Sequence, residues 1–334
     1  MKKYLNGDPI PWLTDGENPA VTYLTSKEFF PAGDHDELYN RLITSPLTDY
    51  FRKNSTGNVL GDLKNFDLFH RGSVWFFLLA AESGYDSRTD FLKTTADYLC
   101  MKSQLPDGGF SFNWYPPVSV GCRTGDMIKG MIKAQINDER TDAGLSWIIK
   151  HQRHDGGWLH CPFRGTPDIM KLIFVKKPGN GHMDDPDINI PSCPVATCAC
   201  MSALIESNKN EYNEAVTSAA AFLLTLDLSG KKGKCGTRCG LSIDPMKPGY
   251  SVMSQFDVIS FLQLLTAAGL SEINRTGELF NHVIRMQDTE GRWQSHNSNQ
   301  GMIPEKRGAS RWVTLNALRM IKAVSWKENQ LEKA

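Results

Sequence analysis

One turn recurs three times in this chain and constrains its fold more than any other feature. It stands at Gln104-Leu-Pro-Asp107-Gly108-Gly109-Phe110, at Gln152-Arg-His-Asp155-Gly156-Gly157-Trp158 and, in looser form, at Gln287-Asp-Thr-Glu290-Gly291-Arg292-Trp293. Each copy follows an amphipathic segment. Glycine there suits a left-handed turn after a helix, where a Cβ would clash. The aromatic is then free to plug the gap between neighbouring helices, and the glutamine to bridge backbone groups. Three copies at helix ends are a repeat signature and set the fold.

The pattern Gln-x-x-Asp-Gly-Gly-Trp resembles the repeat motif of the prenyltransferase and squalene-cyclase superfamily. The resemblance covers residues 45 to 325 or so. It implies an all-α fold, an α/α toroid in which inner and outer rings of helices surround a central cavity. It does not name a reaction, because one fold hosts many chemistries.

Composition narrows the setting. Length alone, at 334 residues, allows one to three domains, and a repeat that closes on itself resolves this to one. The expected division is an N-terminal arm, 1–45, packed on a single toroid, 46–334, with insertions at 159–191 and 231–249. The formal net charge is zero, so nothing favours nucleic acid or an anionic membrane as partner. No run approaches the roughly 18 apolar residues of a transmembrane helix. Met1-Lys-Lys is not followed by an apolar core, so it does not read as a secretory signal. The expected compartment is the cytoplasm. Eight cysteines in a chain this long are not a disulfide framework. They are core thiols, metal ligands or catalytic groups.

Taken in order, the arm is rich in proline. Phe69 to Ala81 is apolar nearly all round, which marks a buried inner helix. Asp90 to Gln104 is its amphipathic outer partner. Further inner helices start near Cys122, Cys193, Ser254 and Ser310, with outer partners over 140–152, 212–226 and 276–287. Five pairs are visible and the arm is a candidate for a sixth. The longest interruption, 159–191, holds His160, Cys161, His182, Asp184, Asp185 and Asp187. A loop of that length in a compact repeat reads as a lid or binding loop.

If the inner helices run the same way, their starts form a ring. That ring offers His70, Arg71, Cys122, Arg123, Asp126, Cys193, Thr197, Gln255, Asp257, Arg311 and Trp312, with His160 and Cys161 near the same rim. Helix N-termini there favour anions and thiolates. Cys122, Cys161 and Cys193 stand at helix starts or just after a turn, outside apolar stripes. They read as zinc ligands, with His160 or His70 as a fourth, as metal-free acid, base or nucleophile, or as small apolar core residues. Cys198 and Cys200 fall inside an apolar helix and read as core, as does Cys100. Cys235 and Cys239 form a loose pair in a Gly/Lys loop.

The family motifs prune these readings. Protein prenyltransferase β subunits hold zinc through Asp-x-Cys and a later His. Val120 stands where that Asp would precede Cys122, and Ala196 where the His would fall. Class II cyclases protonate an alkene with Asp-x-Asp-Asp, and here the matching stretch is Cys193-Pro-Val-Ala196. The chain is more similar to short, single-toroid bacterial and archaeal members. Cys122-Arg-Thr124-Gly125-Asp126, then Cys161, then Ser192-Cys193-Pro-Val-Ala-Thr197 and Ser310-Arg-Trp312-Val-Thr314 carry that likeness.

The expectation is therefore a lyase- or isomerase-type enzyme on a small, largely apolar, isoprenoid-like substrate. It would work by elimination or hydration, isomerisation or cyclisation, with Cys122, Cys161 and Cys193 at the centre and Asp126, His160 and His70 as acid/base partners. Arg71, Arg123, Thr197, Gln255, Asp257, Arg311 and Trp312 are the expected substrate-binding set. Two alternatives stay open: a zinc enzyme using the same three cysteines as ligands, and a non-enzymatic toroid that binds a ligand or peptide. The sequence leaves a homo-oligomeric state open.

Overall fold

The structure is a computed structural model that describes residues 1–113, 115, 117–159, 191–228, 244–253, 256–270, 274–296 and 308–331. Among the described residues it is all-α apart from one antiparallel hairpin, β1 (Ser55–Thr56) and β2 (Val59–Leu60), closed by Gly57 at φ +60°. The described residues gather into two compact units. A central unit comprises Phe51–Leu226, and a terminal unit combines Met1–Tyr50 with described residues between Asp227 and Ala334.

In the central unit the helices come in pairs of unlike character. α5 (Ser73–Glu82) is buried at every position from Ser73 to Ala81. Such a helix has no face to give to water and must be enclosed. α7 (Gly121–Lys133) and α9 (Pro194–Glu206) are nearly as buried, and α9 starts on Pro194, whose missing N–H costs nothing in a first turn. Their partners α6 (Asp90–Ser103), α8 (Glu139–Lys150) and α10 (Asn213–Leu224) bury one side each. α5 packs on α6, α7 on α8 and α9 on α10, while α7 lies between α5 and α9. The first inner helix starts later than its apolar run, because His70 sits at φ +64° and Gly72 caps it in extended conformation.

The recurrent turn joins each outer helix to the next inner one by the same bonds. Gln104 Nε2 donates to the carbonyls of Gly108 and Arg140, and Gln152 Nε2 to those of Gly156 and Ala215. Each glutamine therefore ties its own turn to the start of the next outer helix. Gly108 and Gly156 have φ of +92° and +87°, and a Cβ on either would lie 2.3 Å from a carbonyl oxygen of that helix. Asp155 accepts from the Ser192 hydroxyl at 2.6 Å and Asp107 from the Ser119 hydroxyl at 2.7 Å, which fixes the chain just before each inner helix. The aromatics Phe110 and Trp158 are fully buried. Their N–H groups donate to Thr124 and Thr197, one turn into α7 and α9.

The terminal unit repeats the plan. α11 (Val258–Ala267) pairs with α12 (Asn274–Ile284), and α13 (Arg311–Leu331) packs on α11. Trp293 N–H donates to Thr314 at 3.0 Å, as in the other copies. Here the glutamine reaches the arm: Gln287 Nε2 donates to the Tyr4 carbonyl and its Oε1 accepts from Asn6 N–H. In the arm, α2 (Pro19–Phe29) packs on α3 (His35–Ile43) and against α13, where Lys322 reaches Glu28 at 2.8 Å. The arm thus supplies the outer partner of the last inner helix.

Candidate functional site

Glycines bring two helices of the central unit into backbone contact. Gly121 and Gly125 lie one turn apart on α7. A Cβ on Gly125 would stand 2.4 Å from the backbone of Ala199 and Cys200, and one on Gly121 2.6 Å from the Leu159 carbonyl. No other residue type fits so near, so α7 and α9 meet backbone to backbone. The same spacing sets the chemistry. Cys122 and Asp126 are i and i+4 on α7; Cys193, Thr197 and Cys200 share one side of α9. Cys122 and Cys200 are fully buried, Cys193 is 5% exposed and Asp126 8%.

The cluster is electrostatically coupled. Burial pushes the Cys200 thiol well above the usual range, and Cys122, Asp126 and Cys193 push it further. Cys200 therefore stays protonated, and its Sγ–H donates to the Gly121 carbonyl at 3.2 Å. Cys193 caps α9 without using its side chain as a cap. Cys122 falls in the first turn of α7, where backbone N–H groups are unpaired within the helix.

Next to Cys122, Arg123 is fully buried and points to a loop from another repeat. Its Nη2 donates to Asp67 Oδ1 at 2.9 Å, and its guanidinium lies 4.5 Å from the Phe112 ring centre. Asp67 also accepts from Asn113 N–H. Burial raises the Asp67 carboxyl, with Arg123 and the Asn113 N–H pulling the other way. The pair ties the loop before α5, which carries His70 and Arg71, to the start of α7. His70 is half-buried with its ring edge on Trp75, and Arg71 is exposed.

Other candidate residues have structural partners. Thr197 belongs to the repeat turn described above. Asp257 caps α11: its carboxylate accepts from Ile259 and Ser260 N–H and from Ser251. Arg311 spans to the arm, bonding Asp15, Glu17 and the Trp12 carbonyl, with the Trp12 ring 4.5 Å from both Arg311 and Arg292. Trp312 is buried against Tyr250. These three belong to the terminal unit. His160, Cys161 and Gln255 lie outside the described residues, as does most of the expected lid. Among the described residues no three His, Cys, Asp or Glu side chains are placed to hold a metal ion.

Asp67 and Phe112 stand outside the ring of helix starts read from the sequence, and Cys200, read there as a core thiol, is fully buried in α9. The i+7 spacing from Cys193 to Cys200 was a usable signal. Asp67 and Phe112 lie in loops, where no periodicity points at a partner.

No family model matches the chain, and no curated protein matches it. Among solved structures it is similar to the Lin0763 protein from Listeria innocua, with 13% identity over 97% of this chain and 86% of that one and a TM-score of 0.46. It is similar to a variant of the type II terpene cyclase MstE from Scytonema in complex with geranylgeranyl dihydroxybenzoate, with 12% identity over 97% and 99% and a TM-score of 0.34. A protein from Actinoplanes gives 11% identity over 84% and 97%, with a TM-score of 0.33.

Proposed function

We propose that this chain is an enzyme acting on a small, largely apolar substrate of isoprenoid type, by elimination or hydration, isomerisation or cyclisation. The observation that carries the reading is the buried cluster of Cys122, Asp126, Cys193 and Cys200 at the contact of α7 and α9. A buried ionisable group whose proton affinity is perturbed by burial and by neighbouring ionisable groups is a functional-site candidate, and Cys200 is such a group, with Cys122, Asp126 and Cys193 as its neighbours. In elimination, one group of the cluster protonates the departing hydroxyl and another removes a proton from the neighbouring carbon, releasing water. Isomerisation and cyclisation use the same two transfers on an alkene. Asp126 and Cys122 are the pair for these transfers, one turn apart on one helix, with Cys193 across from them and Cys161 and His160 as further members of the set.

The test is turnover of a panel of C10 to C20 isoprenoid alcohols, followed by gas chromatography and mass spectrometry. General acid–base groups contribute about 10²- to 10⁴-fold, so Asp126→Asn and Cys122→Ser should each lose at least about 100-fold with melting temperature little changed. Full turnover in both variants would remove the cluster from the mechanism. Absence of turnover and of binding across the panel would favour a non-enzymatic role. Metal content of protein prepared without chelator, compared with the Cys122→Ser/Cys193→Ser double variant, separates thiol chemistry from a zinc site.

A further inference from the structure

We propose that His70 and Trp75 form a hydroxyl-recognition subsite that holds the alcohol group of an otherwise apolar ligand. Trp75 is 1% exposed, in the first turn of α5. Its indole Nε1 is buried and meets no hydrogen-bond partner among the described residues. The same holds for Nδ1 of His70, and the two rings meet edge to face with centroids 4.4 Å apart. A buried polar atom is costly to leave without a partner, and here two stand side by side.

Their chemistry selects the group that completes them. The indole N–H only donates. Burial holds the His70 imidazole below its ordinary range, so near neutral pH it is uncharged, with one ring nitrogen accepting. A hydroxyl both accepts and donates. In the tautomer that leaves Nδ1 unprotonated, a carboxylate would serve the indole and oppose the imidazole lone pair; an ammonium would do the reverse. Phe69, with ring centroids 5.9 Å from Trp75 and 6.3 Å from His70, offers an apolar wall for the adjoining carbon skeleton.

The backbone points the same way. His70 has φ +64°, a conformation that costs free energy for any residue but glycine and tends to be kept where a side chain is needed. The loop that carries it is closed on itself: Asp62 N–H donates to the Arg71 carbonyl at 2.8 Å, Gly72 N–H to that of Leu68 at 2.8 Å, and Val74 N–H to that of Phe66 at 3.0 Å. Asp67 and Arg123 then pin it to α7.

This inference rests on the apolar-substrate reading and adds the alcohol to it. Calorimetric binding of geraniol, geranyl methyl ether and a hydrocarbon of the same skeleton tests it. The wild type should bind geraniol at least about 10-fold more tightly than the ether, which has no proton to give. Trp75→Phe and His70→Gly should each bring that ratio close to one. Glycine suits the left-handed backbone, so loss of the ratio there would not reflect a lost fold, and circular dichroism checks this. His70→Asn, which tolerates the same backbone and retains an acceptor, should preserve the ratio. Equal binding of alcohol and ether by the wild type, or a ratio that survives Trp75→Phe and His70→Gly, overturns the subsite and leaves the apolar reading standing. Binding of none of the three probes overturns both.

Discussion

At the scale of single residues, the same side-chain types serve two masters. Asp126 and Asp257 both lie at or near inner-helix starts, yet Asp257 is engaged as a cap, with a capping box formed by Ser260. Burial raises its carboxyl to about 6, more than its hydrogen bonds with Ile259, Ser260 and Ser251 can offset. The folded protein thus holds a proton that the unfolded chain has released between pH 4 and 6 or so. Its contribution to stability is full below that window and falls as pH rises through about 6. Asp257→Asn keeps a good cap and removes the titration. Urea unfolding should show the variant more stable than wild type by roughly 2–3 kcal/mol at pH 8, from the 1.36 kcal/mol of each tenfold step in proton affinity, and level with it near pH 4. A constant difference across pH would show that Asp257 does not titrate in this window.

At the scale of elements, the α7–α9 contact decides whether the cluster exists. Alanine is the better helix former by about 1 kcal/mol, so Gly125→Ala would stabilise an isolated α7. In the folded chain the new Cβ meets the Ala199 and Cys200 backbone at 2.4 Å. Backbone cannot turn aside as a side chain does, and overpacking of this kind costs about 1–3 kcal/mol. The variant should melt lower, and Cys122, Cys193 and Cys200 should react faster with a thiol reagent as the helices part. Equal or greater stability with unchanged thiol reactivity would refute the contact. This scale also shows what the sequence could and could not disclose. The all-α class and the alternation of buried and amphipathic helices were legible, because burial writes itself as periodicity. So was the turn, because only glycine fits its left-handed corner. The helix starts were less so: the apolar run from Phe69 includes residues that the structure places in a loop, and Asp257 rather than Ser254 opens α11. The Asp67–Arg123 pair joins residues from separate loops and helices, and no local pattern records such a meeting.

At the scale of the whole molecule, the first residues complete the last repeat. Gln104 and Gln152 each bond the start of a following outer helix, Arg140 and Ala215. Gln287 bonds Tyr4 and Asn6 in the same way. Gly291, at φ +76°, comes within reach of Gly7: a Cβ there would stand 2.6 Å from the Gly7 carbonyl oxygen. Tyr4 packs edge-on against Phe280 of α12 at 5.0 Å. The arm is therefore a structural part of the repeat, and its loss should resemble the loss of a glutamine clamp. These two bonds are part-buried, and an ordinary hydrogen bond contributes about 0.5–1.5 kcal/mol net. Gln287→Ala should cost about that much per bond in the 334-residue chain, because it removes the partner of the Tyr4 carbonyl and of the Asn6 N–H. In a chain lacking residues 1–7 those partners are already gone, and the same substitution should cost much less. Independent sites add within about 0.5 kcal/mol, so a cycle of the two changes should leave a coupling of about 1 kcal/mol or more. If the two losses simply add, Gln287 and the arm act separately and the first residues are not a working part of the repeat.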